Sequence, residues 1–140
     1  MTTSPMRDEH ASLILHLGPP LEDMSDREFF DFCQRNPDLR LERTQSGDLL
    51  IMPPTGGETG RLNFALIGVF SHWVDRDGTG IGFDSSTGFA LPNGARRSPD
   101  LAWVPKERWQ QLNPQQREQF PPLSPDFVVE LRSRTDDLEM

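Results

Sequence analysis

The feature that most constrains this chain is a pair of segments in which a Ser-Pro-Asp turn opens onto an apolar run. They are Ser98-Pro99-Asp100-Leu101-Ala102-Trp103-Val104 and Ser124-Pro125-Asp126-Phe127-Val128-Val129-Glu130-Leu131. Continuous apolar runs of this kind are the pattern of strands covered on both faces, so both are expected as central strands of a sheet. Asp100 stands at the mouth of the first run and Glu130 lies inside the second. A carboxylate withdrawn from water without a partner takes up a proton or needs a cation, so these two acids require an explanation.

The rest of the chain supplies helices and shorter strands. Ser25-Asp26-Arg27-Glu28 has capping-box spacing with Phe29, Phe30 and Cys33 as an apolar stripe behind it, predicting a helix that ends near Asn36-Pro37. Leu39 to Thr44 and Asp48 to Met52 flank Gln45-Ser46-Gly47, the pattern of an antiparallel hairpin. Thr55-Gly56-Gly57-Glu58 repeats the capping-box spacing. Leu62, Leu66, Val69 and Trp73 then recur at three and four residues, predicting a long helix to about Asp75 with that stripe buried. Ile81 to Phe83 and Thr87 to Leu91 read as short strands, and Lys106 to Phe120 as two helical turns, the second opening at Asn113-Pro114. Residues 1–23 read as a loosely ordered N-terminal arm in which Leu13-Ile14-Leu15 could dock as a strand.

Composition removes several function classes. A net charge of −8 is wrong for coating long stretches of nucleic acid, because phosphate affinity comes mainly from Lys and Arg displacing counterions; any such contact must be local. Cys33 is the only cysteine, which excludes an intrachain disulfide and a thiolate zinc cluster and fits a reducing cytoplasm. No apolar run approaches the roughly 18 residues of a membrane span, and Met1 to Arg7 is not followed by a signal-type apolar core. His10, His16 and His72 lack metal-ligand spacing, and Gly78-Thr79-Gly80-Ile81-Gly82 lacks the lysine and the context of a phosphate-cradling loop.

The acids are what is left. Two carboxylates from adjacent strands, Asp100 and Glu130, could share one hard cation, and oxygen ligands favour Mg²⁺ or Mn²⁺ over zinc. Strand alternation turns Arg132 and Arg134 to the same side as Glu130, where guanidinium forks suit a phosphate, and Arg96 and Arg97 are further candidate phosphate contacts. The spacing is equally consistent with a structural ion pair of Glu130 with Arg132 or Arg96. Glu58, four residues before Leu62, falls on the expected inward face of the long helix. On spacing alone, closing the Thr55 cap is its simpler role.

Four blocks in order resemble the Uma-two family, a restriction-endonuclease-like group of the PD-(D/E)XK nuclease superfamily. They are Leu50 to Gly60, Gly80 to Phe89, Ser98 to Val104 and Pro125 to Ser133, within a resemblance running from about Asp26 to the end. The resemblance implies an α/β (α+β) fold over residues 24–140, a mixed β-sheet flanked by helices. It implies a metal-dependent endonuclease that hydrolyses phosphodiester bonds of nucleic acid with Mg²⁺ (or Mn²⁺). Asp100 and Glu130 would be metal ligands, with Glu58 the acid donated by the first core helix. The superfamily lysine two residues after the glutamate is here Arg132, which stays protonated and can stabilise charge without acting as a general base. Against the family pattern the C-terminal helix and strand are missing, so a truncated domain is expected. The alternative is a non-catalytic binding or dimerisation module, with a homodimer as its assembly; a phosphohydrolase of small nucleotides is a third reading.

Overall fold

The computed structural model describes residues 13–131, and the expectations for Arg132 and Arg134 lie outside them. Strand β1 (Leu13–Leu15) takes part of the expected arm into a sheet. Helix α1 (Asp26–Arg35) opens at its capping box: Ser25 Oγ accepts from the Glu28 N–H at 3.1 Å, and the Glu28 carboxylate accepts from the Ser25 N–H at 3.4 Å. Strands β2 (Arg40–Arg43) and β3 (Leu49–Met52) form the expected hairpin, turning through Gly47 at φ 87°, a conformation that suits glycine. Helix α2 (Gly57–Asp77) carries the chain to a second sheet and stops at Gly78, which is left-handed.

The remaining elements are β4 (Gly80–Asp84), β5 (Phe89–Ala90), β6 (Arg96–Arg97), β7 (Leu101–Pro105), α3 (Lys106–Gln110), α4 (Pro114–Glu118) and β8 (Phe127–Val129). The strands form two sheets, ordered β1-β3-β2-β6-β5 and β4-β7-β8. The class is α+β, as expected. Among the described residues every strand pairing is antiparallel, and the single mixed sheet is replaced by two antiparallel ones.

Strand β7 is central, with Leu101, Ala102 and Val104 buried. Strand β8 departs from expectation: among the described residues it is the edge of its sheet, and Phe127 and Val128 are 51% and 48% exposed. An apolar run reports affinity for a covered surface, not which neighbour covers it.

Helix α2 shows a second departure. Leu62, Val69 and Trp73 are 42%, 71% and 46% exposed, while Leu66, Phe70 and Val74 are half-buried. Phe70 and Val74 settle over Gly82 of β4, where an added Cβ would stand 3.2 and 3.3 Å from them. Because α2 is apolar on more than one side, its period predicts a helix without selecting the packed face; the bare glycine of β4 selects it. The Thr55 capping box is also absent, since the N-cap is Gly56 with no side-chain bond.

Two clusters make the core. One joins Phe89, Ala102, Val104 and Leu123, and the other joins Phe29, Leu41 and Leu49. Phe120 packs on Phe29 and Phe30 with ring centroids 5.6 and 5.2 Å away, and it also closes over Gly88 beside β5, tying the two sheets' cores together. Asp100 stands one residue before β7.

Candidate metal centre

The β7–β8 register pairs Leu101 with Val129, so the next step outward sets Asp100 opposite Glu130. One bond locks that step: Asp100 Oδ2 accepts the Leu131 N–H at 2.6 Å. Burial, and next the negative charge of Asp100, push the Glu130 carboxyl up to about 7; Glu42 pushes the same way, and the Asp100 N–H and Arg40 oppose.

Strand β2 contributes two residues that the sequence reading passed over. Arg40 and Glu42 share a strand face and grip the Ser98 peptide from both sides: Arg40 Nη2 donates to the Ser98 carbonyl at 2.9 Å, and the Ser98 N–H donates to Glu42 Oε1 at 2.9 Å. Arg40 Nη2 also stands 3.7 Å from Asp100 Oδ1, and Arg97 Nη1 bonds Glu42 Oε2 at 3.2 Å. The available signal was the Arg-Leu-Glu-Arg strand itself, which cannot turn every charge to water when both its sequence neighbours in space are strands.

The other candidates are placed as follows. Glu58 is exposed near the start of α2 and its carboxylate pairs with Arg61. Among the described residues no three His, Cys, Asp or Glu side chains lie close enough to hold one ion, so Glu58 does not complete a triad with Asp100 and Glu130. Arg96 is buried and turned inward, bonding Asp26 and the Leu91 and Ala95 carbonyls, so it pairs with Asp26 rather than Glu130 and offers no open face to a phosphate. Arg97 is 42% exposed beside Glu42.

A family model described as "Putative restriction endonuclease", Uma2, matches residues 26–140. The chain belongs to the Uma2 family. No curated protein matches it. Membership of Uma2 gives the chain a nuclease-like function at the level of the family, and families of this kind generally use divalent metals. The Uma2 match spans both carboxylates and both β2 residues.

The donors present in this Uma2 domain fit such an ion. Asp100 and Glu130 offer only oxygen, the preference of Mg²⁺ and Mn²⁺. Asp100 Oδ1 accepts no hydrogen bond among the described residues, and Glu130 holds its proton above the ordinary carboxylate range because burial and, next, the charge of Asp100 disfavour its ionised form. A cation would relieve both conditions at once.

Proposed function

We propose that this Uma2 domain is a metal-dependent endonuclease acting in the cytoplasm on phosphodiester bonds of nucleic acid, with Asp100 and Glu130 holding Mg²⁺ or Mn²⁺. The observation that carries the reading is the placing of these two carboxylates opposite each other, one step beyond the last pair of the β7–β8 register. A bound divalent ion supplies an activated water and polarises the phosphoryl group. The chain's own part is positional. The Leu131 N–H fixes one oxygen of Asp100, and the other accepts no hydrogen bond among the described residues. Half-buried Arg97, bonded to Glu42 through one nitrogen, together with Arg132 and Arg134 would give local phosphate contacts within an otherwise acidic protein.

A second reading, a binding module that assembles as a homodimer, draws on the exposed apolar residues Leu62, Val69 and Trp73 of α2. Cleavage of single- and double-stranded DNA and of RNA in Mg²⁺ and Mn²⁺ separates the two. Loss of cleavage in both Asp100→Asn and Glu130→Gln supports the nuclease; cleavage that survives both substitutions refutes it.

A further inference from the structure

The two-sided grip of β2 on Ser98 has an asymmetry. Glu42 is buried and both its oxygens are bonded, to the Ser98 N–H and to Arg97, so it serves as a fixed support. Arg40 is different. Its side chain is 36% exposed, and among the described residues Nη2 alone donates and buried Nε has no partner. A guanidinium carries five donors in one plane, so among the described residues most of this fork is uncommitted, beside the Asp100 oxygen that accepts no hydrogen bond from them.

We infer that Arg40 is the phosphate-binding residue of the site and stands in for the cation in its absence: it balances Asp100 Oδ1 in the metal-free protein and directs its free donors to a substrate phosphodiester when a divalent ion takes that oxygen. The inference rests on the assignment of Asp100 and Glu130 as the cation site. Its physical basis is charge accounting around the pair. Asp100, Glu130 and Glu42 face Arg40 and Arg97, and Arg97 is engaged by Glu42. Among the described residues Arg40 is therefore the cation paired with that oxygen, and it both repels an incoming metal ion and attracts an incoming phosphate. Removing it has opposite consequences for the two ligands, whereas a residue that only supported the Ser98 loop would weaken both together when lost.

The test uses the whole chain with Arg40→Gln and Arg40→Lys, each checked for folding by circular dichroism. Mn²⁺ binding is measured by calorimetry without nucleic acid, and binding of a short single-stranded oligodeoxynucleotide is measured in Ca²⁺ across a salt series. Arg40→Gln should raise Mn²⁺ affinity about tenfold, lower oligonucleotide affinity about tenfold, and reduce the slope of log affinity against log salt by about one contact. Arg40→Lys keeps the charge and loses the fork, so Mn²⁺ affinity and the salt slope should hold while oligonucleotide affinity falls a few-fold. A fall in Mn²⁺ affinity in Arg40→Gln, or an unchanged salt slope, overturns the inference. Failure of the underlying site assignment has a separate signature, wild-type Mn²⁺ binding that is absent or indifferent to Asp100→Asn. Should Arg40→Gln not fold, Arg40→Lys decides: oligonucleotide affinity equal to wild type counts against the inference.

Discussion

Replacing Glu130 by Gln should make the metal-free protein more stable at neutral and alkaline pH while removing a proposed metal ligand. In the folded protein, burial and then the charge of Asp100 raise the Glu130 carboxyl from 4.5 to about 7, so the native state binds this proton more tightly than the unfolded chain does. The stability that the proton contributes is complete below about pH 4.5, declines as pH rises through the folded value near 7, and is lost above it. Gln copies the protonated form at every pH. At about 1.4 kcal/mol per pH unit, the interval bounds the effect at ~3.5 kcal/mol, and the partial solvent access of Glu130 reduces it to roughly 1–2 kcal/mol. Urea unfolding in a chelator should therefore give wild type and Glu130→Gln nearly equal stability at about pH 4.5 and separate them by that amount at about pH 8. Millimolar Mg²⁺ should narrow or reverse the gap by stabilising only the wild type, through mass action on the folded state. A Gln variant that is less stable at pH 8, or curves that stay parallel across the range, would refute the reasoning.

Three further substitutions probe the surroundings. Gly80→Ala would drive a Cβ into the indole of Trp103, which packs on Trp73 at 5.9 Å between ring centroids; a loss of about 1–3 kcal/mol and a shifted tryptophan emission are expected, and wild-type stability would contradict the packing. Arg96→Ala should cost roughly 2 kcal/mol or more in thermal or urea unfolding, because Asp26 and two carbonyls lose a buried donor, and it should leave nucleic-acid affinity unchanged. Glu58→Ala should alter stability by less than about 0.5 kcal/mol and leave Mn²⁺ affinity intact, since Glu58 is exposed and paired with Arg61; a large loss of metal binding would return it to the site.

What could be read from the sequence follows the range of the interactions involved. The Ser25 and Asn113 caps, the Gly47 hairpin and the length of α2 depend on neighbours a few residues apart, and those elements stand where their spacing predicts them. The Thr55 cap had the same spacing and did not form, because the helix starts at Gly57 with Gly56 as its cap. Which face of α2 is packed depends on Gly82, a residue of another strand, so of the stripe Leu62, Leu66, Val69 and Trp73 only Leu66 is half-buried and Trp73 packs on Trp103, while Leu62 and Val69 are exposed. The pairing of Asp100 with Glu130 was legible because each acid interrupts or borders an apolar run. Arg40 and Glu42 were not, because a charged strand normally reads as one solvated face and only the sheet order brings β2 against the Ser98 loop. Arg96 and Arg97 look alike in sequence, yet strand alternation sends one inward to Asp26 and leaves the other exposed beside Glu42.

The central claim is that Asp100 and Glu130 form a cation site, and calorimetric titration of the metal-free chain with Mn²⁺ tests it most directly. One saturable site per chain is expected at about neutral to alkaline pH, weakening below pH 7 as protons compete for Glu130, and lost in both Asp100→Asn and Glu130→Gln. Binding of equal strength in wild type and both variants, or no binding at millimolar Mn²⁺, would contradict it.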